Sequence, residues 1–288
     1  MKVVYLGTDA VLPCFLYILD HHEMMALYVC GNKDDYFGCD TISRMAEEKG
    51  IPVHFETIDE NAERQFIKNG CELFISADYG RKIPVLPEKD GFYGINIHYS
   101  LLPEGRSYCP IECALERNEE NTGVTIHKLT EQFDRGDILA QKSFPIEKDD
   151  DSIDLYLKSA EVSKELLVKI LNNFSFSWET GNPQQVKGSY WKLKKLRDAR
   201  LSHDMTVEEV RGIYRIYNRL TRIKTGDDVW FIKSFETGSV VLDKDIVILG
   251  DVILYNLKDG HARLILEKAE YAEEVWESDK YPFSFKPN

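Results

Sequence analysis

A strand–helix–strand pattern occupies Lys2–Cys30, which reads KVVYLGTDAVLPCFLYILDHHEMMALYVC. Val3–Leu6 is a short apolar run, a helix-like segment follows it, and Met25–Cys30 is a second apolar run. Strands that alternate with helices in this way are typical of a parallel sheet with helices on its faces. The first strand is followed by Gly7-Thr8-Asp9 rather than by a GxGxxG pattern, so a dinucleotide site is disfavoured.

The alternation continues through the first half of the chain. Further strands are predicted at Ile51–Phe55, Leu73–Ala77, Gly94–Ser100 and Thr122–Leu129, and helices at Thr41–Lys49, Asn61–Lys68, Pro110–Asn118 and Ser152–Phe174. We therefore predict an α/β fold with a doubly wound, mostly parallel, Rossmann-like sheet. Ligands of such sheets bind beyond the carboxyl ends of the strands.

The pattern changes in the last part of the chain. The polar stretch Glu179–Gly188 is typical of a linker, Thr206–Tyr217 has the spacing of an amphipathic helix, and Val229–Glu270 contains apolar runs separated by glycines. These features predict a second, smaller, β-rich C-terminal domain. The predicted domains are residues 1–180 and residues 189–288.

Charge is distributed unevenly along the chain. The net charge is −13; residues 1–180 carry 18 basic and 32 acidic side chains, whereas residues 181–288 carry 18 and 17. An acidic surface repels a phosphate backbone, so we expect nucleic acid to be a poor partner. Lys187–Lys224 is a local exception, with eleven basic and four acidic residues, and it favours docking of a smaller anionic group.

Cysteine usage and hydropathy indicate a cytoplasmic protein. The six cysteines show no CxxC spacing, so buried reduced thiols are expected rather than a metal site. Met1–Gly7 leads directly into a strand-like pattern instead of a signal peptide, and no apolar run approaches the ~20 residues of a membrane helix. We expect no membrane partner, and a homodimer is one open possibility for the oligomeric state.

A candidate catalytic group lies between Gly94 and Asp137. Side chains alternate between the faces of a strand, so Asn96 and His98 project together from one face. An amide can donate to a developing oxyanion, and an imidazole can accept a proton. Asp134 lies in a turn that could approach the same place, although Asp-x-Gly is also ordinary turn chemistry and a strand-end histidine is often structural.

Two longer stretches carry a resemblance to a known family. Asn96–Leu115 reads NIHYSLLPEGRSYCPIECAL, and Thr122–Leu139 reads TGVTIHKLTEQFDRGDIL. An Asn-x-His followed by Ser-Leu-Leu-Pro, with an Asp-x-Gly further along, resembles the hallmark of the folate-dependent formyltransferases. KVVYLGTD (Lys2–Asp9) and DYGRKIP (Asp78–Pro84) extend the similarity, which covers most of residues 1–180.

The resemblance implies a formyl transfer from 10-formyltetrahydrofolate to an amine, without a metal. It implies that Asn96 holds the oxyanion, that His98 is the general base, and that Asp134 orients the imidazole and favours its protonated form. The family holds the pterin largely by main chain from two loops. The matching positions are Tyr79, Gly80, Arg81, Lys82 and Ile83 in one loop and Glu131, Gln132 and Phe133 in the other.

Candidate acceptor-binding residues are Thr8, Ser100, Arg106 and Tyr108. Arg106 could pair with a substrate phosphate, and a solvated loop arginine is the alternative interpretation. The sequence departs from the family pattern at two positions nearby. Tyr99 stands where a proline is frequent, and Ser107 stands where a glycine is usual.

The acceptor amine is predicted from the charge and the C-terminal region. The extra length argues against glycinamide ribonucleotide, and the acidic surface argues against tRNA. We therefore predict the amine of a nucleotide-linked aminosugar as the acceptor, with Lys187–Lys224 facing its diphosphate. Tyr190 and Trp191 could stack on its base, whereas Tyr214 and Tyr217 have the spacing of helix core.

Two main alternatives to the aminosugar prediction stay open, besides formyl transfer to a peptide-linked or other amine. The first is methionyl-tRNA formyl transfer, because Ser189–Val210 is similar to the junction that leads into the C-terminal domain of those enzymes. The second is a non-catalytic folate-binding relative. The presence of Asn96, His98 and Asp134 disfavours this second alternative.

Overall fold

The computed structural model describes residues 1–30, 38–88, 91–184, 187–192 and 199–269. The chain divides into two compact units: Met1–Glu147 with Asp154–Lys192, and Lys148–Ile153 with Leu193–Asn288. The two sheets of the protein lie one in each unit. The domain limits of residues 1–180 and 189–288 remain predictions.

The first unit contains a seven-stranded sheet in the order β3-β2-β1-β4-β5-β6-β7. Its strands are β1 (Lys2–Gly7), β2 (Glu23–Val29), β3 (Val53–His54), β4 (Leu73–Ala77), β5 (Gly94–His98), β6 (Asn121–Lys128) and β7 (Ile138–Pro145). The pairs among β1 to β5 are parallel, whereas β6 runs antiparallel to both of its neighbours. The predicted mostly parallel, doubly wound sheet is confirmed.

Helices alternate with these strands along the chain. They are α1 (Leu12–His21), α2 (Asp40–Glu48), α3 (Glu60–Lys68), α4 (Pro110–Glu116), α5 (Ser152–Leu171) and α6 (Phe174–Glu179). The central strands β1 and β4 are buried almost throughout, as expected when both faces of a parallel sheet are covered. The predicted helix Ser152–Phe174 ends at Leu171, and α6 then begins as a separate helix.

The edge strand β7 is absent from the predicted elements. Its sequence, ILAQKSFP, lacks regular alternation, and its positions are half-buried or exposed. An edge strand pairs on one side only, so backbone pairing with β6 can form it without an apolar stripe.

The second unit contains an antiparallel five-stranded sheet in the order β10-β11-β12-β9-β8. Its strands are β8 (Arg222–Thr225), β9 (Asp228–Gly238), β10 (Ile246–Leu249), β11 (Val252–Leu257) and β12 (Gly260–Lys268). Helix α7 (Val207–Tyr217) begins with a capping box of Thr206 and Glu209. The predicted smaller β-rich region is confirmed, although Glu270, the last residue of its predicted strands, lies outside the described residues.

The stretch predicted as a linker packs against the first unit wherever it is described. Asn182 and Ile138 exchange two backbone hydrogen bonds, of 2.8 and 2.9 Å. Gln184 is bound to the turn that contains Asp134. A polar, glycine-containing composition therefore marks a well-bonded segment here, because main-chain and amide groups supply the contacts. Residues 185–186 of this stretch lie outside the described residues.

The cysteines and the helices concern the predictions of reduced thiols and of no membrane-spanning segment. None of the six cysteines forms a disulfide; five are buried, and Cys30 is half-buried. Across the described ranges, no helix combines the length and the apolar character of a membrane-spanning segment.

Candidate active site

A row of polar side chains crosses three neighbouring strands. The strand register places Ser76 opposite Asn96, and Asn96 opposite His127. The Ser76 hydroxyl donates to Asn96 Oδ1 at 2.7 Å, and Asn96 Nδ2 lies 3.1 Å from His127 Nε2. Cross-strand pairing thus brings together polar groups from three distant parts of the sequence.

The hydrogen bonds determine how the Asn96 amide is oriented. His127 Nδ1 lies 2.8 Å from the carbonyl oxygen of Lys128, which can only accept, so Nδ1 carries the hydrogen. In neutral His127, Nε2 then accepts from Asn96 Nδ2. One hydrogen of Asn96 Nδ2 is used in this bond. Asn96 also lines the cleft beside the sheet, so the second hydrogen is available to a bound group.

His98 is buried at the end of β5, and its tautomer is determined by a loop. His98 Nε2 lies 3.0 Å from the carbonyl oxygen of Gly105, so Nε2 carries the hydrogen in the neutral ring. The lone pair is then on Nδ1, 3.5 Å from Asp134 Oδ1. Burial lowers the pKa of His98 and outweighs the opposite effect of Asp134. The imidazole is therefore neutral near pH 7 and can accept a proton.

Asp134 lies in a left-handed conformation, with φ of 56°, in the turn after β6. Burial acts to raise its pKa, but His98, His127 and Arg106 lower it below the ordinary value. Asp134 Oδ1 lies 3.5 Å from His98 Nδ1 and 3.7 Å from His127 Nε2. One carboxylate therefore faces both imidazoles, where it would stabilise a proton taken up by His98.

The turn is held by contacts that the motif alone does not show. A Cβ at Gly136 would lie 1.9 Å from the carbonyl oxygen of Lys128, so only glycine allows this approach. Gln184 Nε2 donates to the carbonyl oxygens of Asp134, at 3.0 Å, and Gly136, at 2.8 Å. The glycine of Asp-x-Gly therefore places the carboxylate, in addition to forming a turn.

The cleft beside this group has a volume of ≈ 330 Å³. All eight residues predicted to hold the pterin line it: Tyr79, Gly80, Arg81, Lys82, Ile83, Glu131, Gln132 and Phe133. Asn96, His98 and Asp134 line the same cleft. The structure thus brings the predicted catalytic and co-substrate residues together, while their roles remain predictions.

The four predicted acceptor-binding residues differ in whether they line the cleft. Tyr108 lines the cleft and is 58% exposed. Thr8 and Ser100 are buried and do not line the cleft, because the Thr8 hydroxyl donates to Asp78 and that of Ser100 to the Glu104 carbonyl. These two placements differ from the expectation of a substrate contact.

Arg106 is bound inside the protein rather than solvated as a loop arginine. It is buried, and its guanidinium donates to the carbonyl oxygens of Asp134, at 3.0 Å, and Lys187, at 2.6 Å, and to the side chain of Gln184, at 2.6 Å. Three internal acceptors place the guanidinium inside the protein rather than in solvent, and a contact with a substrate phosphate stays a prediction. Arg106 holds the Asp134 turn against the segment that follows Gln184.

His127 and Gln184 are functional candidates that sequence reasoning missed. His127 lies within the stretch TGVTIHKL. Its place opposite Asn96 can be inferred only when the register of β5 and β6 is known. Gln184 lies in a polar stretch that carries no such pattern. Among the described residues, His, Cys, Asp and Glu side chains form no group of three suited to a metal ion.

Comparison with known proteins agrees with this geometry. A profile of the formyl transferase family matches residues 19–171, more than half of the chain. The chain belongs to the formyl transferase family. A methionyl-tRNA formyltransferase of Fervidobacterium nodosum is 30% identical over 234 residues, which cover 78% of this chain and 74% of that protein. That of Ehrlichia chaffeensis is 32% identical over 185 residues, which cover 60% of this chain and 61% of that protein.

Solved structures share the fold of this family member. HypX from Aquifex aeolicus in complex with tetrahydrofolic acid gives a TM-score of 0.68 at 18% identity, over 94% of this chain and 44% of HypX. The sugar 3N-formyl transferase WlaRD gives a TM-score of 0.57 at 16% identity, over 94% of this chain and 98% of WlaRD. Among the sequence relatives, the match to the E. chaffeensis protein spans about three fifths of that protein's length (61%).

The prediction of a nucleotide-linked aminosugar as acceptor is wrong. Eight curated relatives, 27–33% identical to this chain, are methionyl-tRNA formyltransferases, whereas the sugar formyltransferases resemble it as folds at 16–20% identity. The expectation that nucleic acid is a poor partner is corrected with it. Net charge sums over the whole surface, whereas an acceptor end that enters a cleft responds to the charges nearby.

Proposed function

We propose that this protein transfers the formyl group of 10-formyltetrahydrofolate to the α-amine of methionine esterified to tRNA. The observation that carries the proposal is the meeting of Asn96, His98 and Asp134 at one cleft, in a chain related to methionyl-tRNA formyltransferases. The products are N-formylmethionyl-tRNA and tetrahydrofolate.

The cleft supports a folate as the formyl donor. Apolar side chains such as Ile83, Leu129 and Phe133 line it together with exposed polar groups of the same two loops. A concave, mostly apolar site with a few polar groups suits a planar heterocycle. Similar folds have been solved with tetrahydrofolic acid in HypX and with 5-N-formyl-THF in WlaRD.

The chemistry begins with the amine nitrogen attacking the formyl carbon. The carbonyl electrons move to oxygen, and the free Nδ2 hydrogen of Asn96 donates to the resulting oxyanion. His98 Nδ1 accepts the amine proton, because Nε2 is occupied by its hydrogen and by the Gly105 carbonyl. Asp134, 3.5 Å away, stabilises the imidazolium. Collapse re-forms the carbonyl and breaks the bond to the folate nitrogen, which receives the proton.

The charges that line the cleft are mixed, because Asp78, Glu131 and Asp134 lie there together with basic side chains. Arg81 and Lys82 line the cleft, and Arg135 is exposed beside Asp134. The net negative charge of the whole chain acts over distances at which salt screens it, since the Debye length is about 8 Å at physiological ionic strength. The unpaired end of a charged tRNA that enters the cleft therefore meets a mixed set of nearby charges rather than the full negative charge of the chain.

The test is formylation by the purified full chain. Methionine-charged initiator tRNA and 10-formyltetrahydrofolate are mixed with enzyme, and formylmethionine is measured by mass spectrometry after ester hydrolysis. We expect turnover that Asn96→Ala and His98→Ala reduce at least about a hundredfold. A dTDP-linked aminosugar serves as the control acceptor and should stay unmodified. Absence of formylation of the charged tRNA would refute the proposal.

A further inference from the structure

Two exposed tyrosines stand at the cleft on adjacent segments. Tyr108 and Tyr190 both line it, and each is 58% exposed. Large aromatic rings are normally more buried than this, so exposed rings beside a cleft indicate a binding surface. Tyr214 and Tyr217, by contrast, are packed in the core of the second unit.

Backbone pairing holds the two tyrosines beside the catalytic loop. Arg106 N donates to the Ser189 carbonyl at 3.1 Å, and Trp191 N donates to the Arg106 carbonyl at 2.9 Å. Tyr190 is therefore fixed by the bonds on either side of it, opposite Arg106. The same loop contains Gly105, whose carbonyl orients His98. The position of the tyrosines is thus coupled to the atom that accepts the amine proton.

Glycine makes this pairing possible. Gly188 has φ of +62°, and a Cβ there would lie 2.2 Å from the Pro103 carbonyl oxygen. Gly105 has φ of +72°, and a Cβ there would lie 3.0 Å from the ring of Trp191, the residue after Tyr190. Two close approaches that only glycine tolerates keep the segments in contact, so the aromatic surface exists before any ligand binds.

Exposed cations lie on the same loops as this surface, together with the exposed carboxylates of Glu104 and Glu131. Lys187 and Lys192 are exposed on the segment that carries Tyr190. Arg135 is exposed in the Asp134 turn. Burial is the main cause that lowers the pKa of Arg106, and the charge of Arg135 is the second, so Arg135 lies near the Arg106 loop. Aromatic rings interleaved with lysine and arginine are the usual means of holding an unpaired nucleic-acid strand, because bases stack while cations contact phosphates.

We infer that Tyr108 and Tyr190 form a stacking platform for the terminal, unpaired base of the RNA that carries the acceptor amine. This inference rests on the proposed function and deepens it by naming the contact that positions the acceptor. The amine is esterified to the nucleoside that bears that base. Holding the base on the platform therefore presents the amine to His98 while the donor occupies the remaining cleft.

The first experiment measures binding without turnover. A 5′-fluorescein-labelled ACCA tetranucleotide is compared, by fluorescence anisotropy, with one whose last nucleotide lacks a base. We expect about tenfold tighter binding of ACCA, since stacking on an aromatic ring contributes a factor of about five to a hundred. Tyr108→Ala or Tyr190→Ala should remove most of this preference, whereas Tyr190→Phe, which keeps the ring, should retain it.

The second experiment separates binding of the acceptor from chemistry. With charged tRNA, both alanine variants should raise KM for the tRNA about tenfold and leave KM for the formylfolate unchanged. Phe176→Ala is the matched control, because Phe176 is 61% exposed but does not line the cleft.

The outcomes distinguish this inference from the proposed function. Equal binding of the two oligonucleotides, or alanine variants that keep the wild-type preference and KM, would overturn the platform alone. Base-dependent binding that needs both tyrosines, in a protein that cannot formylate charged tRNA, would support the platform and overturn the proposed function.

Discussion

Replacing Asp134 with asparagine removes a charge from the proposed base while leaving the shape of the site nearly unchanged. Asp134 Oδ1 lies 3.5 Å from His98 Nδ1. At that distance two unit charges interact by about 5 kcal/mol with an effective dielectric constant of about 20. Without the carboxylate, the pKa of the His98 imidazole falls further, because Asp134 acts to raise it. With about half of the proton transferred in the transition state, about 2 kcal/mol is lost, which lowers kcat about thirtyfold.

The pH dependence of kcat/KM shows in which direction Asp134→Asn changes the pKa of His98. His98 acts as a base only when neutral, so activity falls as pH decreases through its pKa in the folded protein. Burial has already lowered the pKa of His98, and Asp134 opposes that shift. Asp134→Asn therefore moves the acid limb of kcat/KM to still lower pH, while the maximal rate decreases. A merely structural lesion would lower the rate without moving the limb.

The assay is formylation of charged tRNA from pH 4.5 to 8.5 at constant ionic strength. Asp137→Asn is the matched control, since Asp137 lies in the same turn but pairs with Lys128 at 3.2 Å. We expect the control to keep the wild-type acid limb and a rate within about threefold, since a half-buried ion pair away from His98 contributes little to the chemistry. An Asp134→Asn variant with wild-type kcat and an unmoved acid limb would refute the proposed role of the carboxylate.

Three further predictions follow from other contacts. Burial raises the pKa of Glu63 to about 8. Because the folded state then holds this proton more tightly than the unfolded state, the free energy of unfolding decreases as pH rises from about 4.5 toward 8. Glu63→Gln should therefore raise Tm at pH 8 by about 5 °C and leave it unchanged at pH 4, as measured by differential scanning fluorimetry. Gly136→Ala places a methyl group 1.9 Å from the Lys128 carbonyl oxygen, so kcat should fall about a hundredfold with the circular dichroism spectrum retained; Gly212→Ala, with open space around it, is the control, and equal rates for the two would contradict the reasoning. His127→Leu removes the acceptor of Asn96 Nδ2 and should lower kcat about tenfold without changing KM for the formylfolate; an unchanged kcat would show that Ser76 alone orients the amide.

The strands and helices of the first unit were predictable where local pattern and tertiary packing agree. Leu73–Ala77 is predicted and observed over the same residues, because a buried central strand is a continuous apolar run. β7 and β8 were not predicted. Their strand structure comes from pairing with a neighbour, and the neighbour is not visible in a single-sequence window.

The same limit applies to the site. Asn96 and His98 were predictable as a pair because strand parity depends only on neighbouring residues. The partner His127 was not, since its place opposite Asn96 depends on the β5–β6 register. Arg106 shows the same limit: the sequence did not reveal that three acceptors from distant segments bind its guanidinium inside the protein.

The amino-acid sequence by itself determined the alternation of the buried strands and helices, the pair of Asn96 and His98, and membership of the formyl transferase family, because these depend on local periodicity and on motifs. Only the tertiary structure decided which nitrogen of His98 is basic, how Asn96 is oriented, and which loop arginine is buried. Those properties follow from hydrogen bonds between residues far apart in the chain. Such partners become neighbours only when the sheet register and the loop packing are formed.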